Sequence, residues 1–280
     1  MEASGLSGID SPRSNAGWKA RSYGKRISRS EAHLIPNPIR KVLSSMRARR
    51  VRALLMGGQA CVFYGAAEFS RDTDLAIVAN AANLGRLHRA LNDLRADVIA
   101  VPPFELKYLR RGHAIHFRCR HPEALRMRVD LMAKMRGVGA FSKLWERRTT
   151  IELPDGTRCD LLSLPDLVQA KKTQRDKDWP MIRRLVEAHY FQNCAKPNPA
   201  QVRFWLQELR TPELLREVAE RHTTLCRRLT SKRPLLVYAA RGEVKKLARS
   251  LTSEEFAERK LDRQYWLPLR AELEELRHAG

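Results

Sequence analysis

The tightest constraint on this chain is a short apolar run, Val51 to Met56, that ends on two consecutive glycines, Gly57 and Gly58. A run of that length, cut off by Gly-Gly, predicts a buried strand rather than a helix. Gln59 to Ala67 then leaves room for a helix of two to three turns. A strand that stops at glycine and opens a helix presents bare backbone N–H groups at a positive helix end, which suits a phosphate. Glycine matters there because a Cβ would obstruct the approach of phosphate oxygens and often the required φ. An ordinary tight turn leaves the same trace, so the chemistry depends on the residues downstream of it.

Those residues are Ser70-Arg71-Asp72-Thr73-Asp74-Leu75, entering a second predicted strand, Asp72–Val78. At roughly 3.3 Å rise per residue, the Asp72 and Asp74 Cα atoms lie about 6–7 Å apart with both side chains on one face. Two carboxylates converging there repel, and one tends to protonate unless a cation intervenes. Mg²⁺ resolves the conflict, since it takes carboxylate oxygens and leaves positions for phosphate and water. The neighbours Leu75, Ile77 and Val78 mark a largely buried strand, where an unpaired acid pair is costly.

A third acid stands in Arg128-Val129-Asp130-Leu131-Met132, another predicted strand. A metal shared with Asp72 and Asp74 would partner it, as would a salt bridge to Arg126 or Arg128. Asp130 also offers a base for an attacking hydroxyl and completes a site for two metals roughly 3.5–4 Å apart.

Strand, Gly57-Gly58, helix, Ser70-x-Asp72-x-Asp74 and a later apolar strand bearing Asp130 together resemble the DNA polymerase beta-type nucleotidyltransferase superfamily. Downstream, Asp160-Leu161-Leu162-Ser163-Leu164-Pro165-Asp166-Leu167, then Lys171-Lys172, Arg175 and Lys177-Asp178, resembles the abortive-infection (AbiEii-like) toxins and related stand-alone nucleotidyltransferases. The resemblance covers about residues 40–190. It implies an enzyme that moves a nucleotide from an NTP to an acceptor with two Mg²⁺ ions. Asp72, Asp74 and Asp130 become the metal-binding and catalytic acids. Gly57, Gly58, Ser70 and Arg71, with Lys171 or Lys172, become the NTP-binding residues. It also implies a possible antitoxin protein as partner.

Around these motifs the sequence predicts an α+β chain: a mixed β-sheet nucleotidyltransferase core flanked by helices, with a C-terminal helical domain. Residues 1–35 read as a flexible basic arm, 36–180 as the core and 181–280 as the helical domain. Asn37-Pro38 starts a helix with Ile39, Val42, Leu43 and Met46 on one face. Leu84, Leu87, Leu91 and Leu94 mark another, and Asp97–Val101, Ala114–Cys119 and Met127–Met132 are strand candidates. Ile151–Leu162 reads as a hairpin turning at Pro154-Asp155-Gly156, and Ser163 as the cap of a helix. Lys171, Lys172, Arg175 and Lys177 are expected within two turns of one helix. Asn198-Pro199, Thr211-Pro212 and Thr252…Glu255 read as helix starts. His113, His116, Trp179, Trp205 and Trp266 read as structural.

Charge narrows the partners. Lys and Arg number 53 against 31 Asp and Glu, a formal charge of +22. Such a field favours polyanions, so RNA, tRNA in particular, is the expected acceptor. It disfavours the small-molecule alternative, since an antibiotic-modifying transferase needs an acidic pocket for a cationic drug. A non-catalytic RNA- or protein-binding module on the same fold is the other alternative, weakened by the presence of all three acids. Five scattered cysteines without a CxxC pair suit free thiols in a cytoplasmic setting. No run approaches the ~18 apolar residues that span a bilayer, so no membrane partner is expected.

Overall fold

The computed structural model describes residues 25–26, 37–67, 69–153, 156 and 158–278. It is an α+β structure. Its strands are β1 (Lys25–Arg26), β2 (Ala53–Met56), β3 (Asp72–Ile77), β4 (Ala96–Val98), β5 (Ile115–Cys119), β6 (Arg128–Met132), β7 (Thr149–Glu152) and β8 (Arg158–Leu161). They form one mixed sheet in the order β1-β7-β8-β2-β3-β6-β5-β4. Helices α1 (Asn37–Ala48), α2 (Gly57–Phe63), α3 (Ala81–Asp93), α4 (Leu106–Arg111), α5 (Phe141–Arg147) and α6 (Leu164–Ala170) alternate with the strands. Then the chain is all helix: α7 (Asp178–Asn193), α8 (Pro199–Glu208), α9 (Pro212–Arg221), α10 (Thr223–Leu229), α11 (Leu236–Ala240) and α12 (Val244–His278).

Local chemistry accounts for most element ends. Asn80 caps α3 by accepting from the Asn83 N–H, and Asn198 with Gln201 forms a reciprocal capping box on α8. Ser163 caps α6 through the Asp166 N–H, as its sequence context implies. The expected hairpin is present as antiparallel β7 and β8, although Pro154 and Asp155 of its turn lie outside the described residues. So does the expected N-terminal arm, apart from Lys25–Arg26, which adds an edge strand parallel to β7.

Two expectations are corrected. Thr252…Glu255 starts no helix, because α12 already begins at Val244 after the turn at Gly242 (φ +70°). Thr252 sits mid-helix and its hydroxyl donates back to the Ala248 carbonyl. Nor do Lys171 to Lys177 lie on a helix: they form the link between α6 and α7.

The C-terminal helices dock on the sheet without a break in the apolar core, which runs from Leu43, Leu75 and Leu131 through Ile182 to Trp205 and Leu236. Helix α7 crosses the boundary expected near residue 180. Trp179 and Trp205 are buried in that core, as their structural reading implies. Among the described residues no helix is long and apolar enough to cross a membrane.

A buried arginine ties the helices together. Arg233 is 5% exposed and bonds Glu254 at 2.8 Å while donating to the Leu206 and Leu209 carbonyls at 2.9 and 3.1 Å. It thereby satisfies the last turn of α8 with a cation at the negative helix end. Arg233→Met should lower stability by about 2–3 kcal/mol, since it leaves two buried carbonyls without a donor, while Glu254 keeps Arg210 at 3.0 Å. Urea unfolding measures this, and a change below ~1 kcal/mol would remove the arginine from the fold's essential contacts.

Candidate active site

Strand register brings the three acids together. Strands β3 and β6 run parallel with Asp72 beside Arg128 and Asp74 beside Asp130. Cα partners in a ladder point to the same face, so Asp72, Asp74 and Asp130 share one face of the sheet. Thr73, Leu75, Val129 and Leu131 alternate into the core on the other. On the far side of β3, antiparallel β2 ends with Met56 opposite Asp74, which sets the two glycines next to the carboxylates.

The glycines have a steric reason that sequence alone did not supply. A Cβ on Gly57 would stand 1.7 Å from Asp74 Oδ2, and one on Gly58 would stand 2.7 Å from Ser70 Oγ. Gly57 also has φ +66°, in the left-handed region. Thus the Gly-Gly turn is cut to admit the Asp74 carboxylate and the Ser70 hydroxyl. Ser70 itself braces the strand entry by donating to the Asp72 carbonyl at 3.2 Å.

The carboxylates differ in environment. Burial, then the charges of Asp130 and Asp72, push Asp74 up to about 6 against the pull of Lys171 and Arg175. Asp130 goes the other way. Burial alone would raise it, but hydrogen bonds from His116 and Arg128, and their charges, hold it below the usual carboxylate range. His116 Nδ1 and Arg128 Nε each lie 2.8 Å from Asp130 Oδ1. Of the two partners that the sequence offers Asp130, metal or arginine, Arg128 is the one engaged here.

Lys171 reaches the site as a cation that is already held. It caps the C-terminus of α6, is buried, and its Nζ lies 2.9 Å from Asp178 Oδ1. Asp178, 2% exposed, also accepts from Thr173 Oγ1 at 2.6 Å and Arg175 Nε at 2.7 Å. This knot explains the break in the predicted helix: Lys171, Thr173 and Arg175 fold around the first residue of α7. Burial would raise Asp178, but these partners, Lys171 foremost, keep it ionised. Lys172 is not brought to the acids: its Nζ lies 2.8 Å from Glu208 on α8. Arg71 is exposed, with its guanidinium 5.8 Å from the Phe69 ring centroid.

The donor set fits a hard divalent cation. Among the described residues, no hydrogen bond or ion pair reaches the carboxylates of Asp72 or Asp74, and such an orphaned pair is costly in a partly dry site. Oxygen ligands of this kind suit Mg²⁺. No three His, Cys, Asp or Glu side chains among the described residues are gathered into a ready metal cage. Asp130 is turned toward His116 and Arg128, which is consistent with that.

His116, expected to be structural, and Asp178, quoted in the downstream motif without a role, are the site residues whose part the sequence did not assign. His113, 1% exposed, is structural as expected, bonded to Glu272 at 2.8 Å. His116, by contrast, stands opposite Asp130 in the β5–β6 ladder. The available signal was parity, since His116 and Arg118 alternate with the apolar Ile115, Phe117 and Cys119. No known family model matches the chain, and no curated protein is detectably similar to it.

Two outcomes test this geometry. Gly57→Ala should destabilise the protein by about 2–4 kcal/mol, combining left-handed strain with the collision at Asp74. In an Asp74→Ala background the same glycine substitution should cost only the backbone strain, roughly 1–2 kcal/mol. An equal cost of Gly57→Ala in both backgrounds would refute the contact.

Asp74→Asn should stabilise the metal-free protein. The folded state binds a proton that the unfolded chain has lost between pH about 4 and 6, so Asp74 costs stability as pH rises through that window. Discounted for partial exposure, the gain at pH 7.5 is about 1–2 kcal/mol and should shrink toward pH 4. Thermal melts in chelator at both pH values measure it, and an equal effect at both would exclude the charge as its cause.

Proposed function

We propose that the protein is a Mg²⁺-dependent nucleotidyltransferase that moves a nucleotide from an NTP to an acceptor hydroxyl. The observation that carries the reading is the register of Asp74 with Asp130, on one sheet face with Asp72. The resemblance in the Gly57-Gly58 and Ser70-x-Asp72-x-Asp74 motifs agrees with it. When bound, two Mg²⁺ ions would neutralise the triphosphate and lower the pKa of the attacking hydroxyl.

Each residue then has a task. Asp72 and Asp74 are the orphaned oxygen ligands, and Gly57 gives Asp74 its position. Asp130, kept ionised by His116 and Arg128, accepts the proton of the acceptor hydroxyl. That hydroxyl forms a bond to the α-phosphorus in line, the α–β phosphoanhydride bond breaks, and pyrophosphate leaves. Lys171, held by Asp178, supplies positive charge on the Gly57 side of the acids. Gly58 and Ser70 shape the turn, and Arg71 lies on the adjoining loop.

The +22 charge favours RNA such as tRNA as the acceptor. A toxin role with a neutralising antitoxin rests on the family resemblance alone. The cytosol is the proposed compartment, in keeping with five free cysteines.

The deciding experiment incubates the protein with each α-labelled NTP, Mg²⁺ and either RNA or aminoglycosides. Label should appear on RNA and fall by roughly 10³-fold or more in Asp72→Ala and Asp74→Ala, as loss of several kcal/mol of charge stabilisation requires. Label on the drug would reassign the acceptor. Transfer that persists in chelator or in both variants would sink the reading.

A further inference from the structure

The open face of the sheet carries two rows of side chains across its strands. One runs Asp74, Asp130, His116, and the other Asp72, Arg128, Arg118, Asp97, each a ladder partner of the next. The acids are therefore flanked on the β5 side by two guanidiniums set directly opposite each other. Like charges in that relation destabilise a strand pair unless an anion compensates them.

Within the protein that compensation is half complete. Arg128 bonds Asp130, with its Nη2 3.1 Å from His116 Nδ1, and its charge is strengthened by Asp130, Asp72 and Asp74. Arg118 is exposed and has no acidic partner among the described residues. Its ladder partner Asp97 is taken by Arg120 at 2.5 Å instead.

The acids thus have a cation on either side: Lys171 beside α2 and α6, and the arginine pair on β6 and β5. With Mg²⁺ bound, the lysine side would serve the triphosphate of an NTP, and the arginine side suits a second phosphate-bearing molecule. Resting on the transferase reading above, the geometry points to Arg118 and Arg128 as the subsite for a backbone phosphate of single-stranded RNA, the acceptor. Guanidinium forks match phosphate oxygens in two-point contacts, whereas a cationic small-molecule acceptor would be repelled. Arg128 is also exchangeable, because the carboxylate it holds in the free protein is one that a divalent cation would share. Phe69, 61% exposed, lies three residues before Asp72 and offers a ring for an unstacked base, the usual companion of a basic groove for single strands.

Binding can be read without turnover. A fluorescent single-stranded RNA is titrated with the full chain in Mg²⁺ without NTP, across a range of salt. Arg118→Gln should weaken affinity about 5–10-fold and reduce the salt slope by about one charge. The same variant should melt like wild type and bind a fluorescent NTP analogue unchanged, and Arg118→Lys should recover part of the RNA affinity. Arg128→Gln should weaken RNA binding as well.

The subsite is overturned if Arg118→Gln leaves RNA affinity and slope intact, or if NTP affinity falls instead. It is equally overturned if the loss occurs only on replacing Arg227 and Arg228 of α10, or if wild type binds no RNA. Arginine-dependent RNA binding without any nucleotide transfer would uphold the subsite and remove the transferase reading. Transfer to a small acceptor without RNA binding would do the reverse.

Discussion

Asp74 sits where its charge is opposed from several directions. Its own strand is dry, Asp130 stands beside it in the next strand, and Asp72 lies two residues away on the same face. Repulsion at that spacing is the force around which the surroundings are arranged. Lys171 and Arg175 draw Asp74 toward ionisation from one side. On the other, Arg128 and His116 absorb the charge of Asp130 and so reduce its pressure on Asp74. The balance leaves Asp74 near the edge of protonation, a state that a divalent cation converts to full ionisation.

Holding such a group costs stability, and the fold concedes more at the same spot. Gly57 gives up a side chain and adopts a left-handed backbone so that the carboxylate can lie against its Cα. Asp178 is buried so that Lys171 can be presented without being free to swing away. A sheet selected only for stability would not set three acids side by side at 72, 74 and 130. Concentrating strain and unpaired charge at one point of the sheet face opposite the apolar core marks that point as the candidate site.

The legible part of this arrangement was the part written in period two. Strands β3 and β6 and the acids on them follow from apolar alternation interrupted by aspartate, and β2 from a short apolar run cut off at Gly57-Gly58. Partners across the sheet were harder to read, because register is a property of two strands at once. Arg128 was visible as a salt-bridge candidate, but nothing in one strand told that His116 would face Asp130. The 171–177 segment reads as helix because its lysines and arginines have good helix propensity. The buried Asp178 outweighs that propensity by drawing three side chains back onto one carboxylate.

Helix α12 shows the same limit on a larger scale, and it reaches the site. Beyond Leu247 and Leu251, which sit in the apolar core, its docking stripe interleaves acids with apolar residues. Glu254 takes Arg233 and Arg210, Glu258 takes Arg136 at 2.6 Å, and Asp262 accepts from the Gln174 N–H at 2.8 Å. Tyr265 and Leu269 then pass over Gly112, and Glu272 ends the stripe on His113 and Arg111. Spacings of three and four residues put all of these on one face, yet a search for apolar periodicity passes over them. Asp262, Arg259 and Arg270 each hold the 174–176 stretch, through the Gln174 backbone, Asp176 and the Gln174 side chain. The long helix therefore braces the loop that carries Lys171 and Arg175.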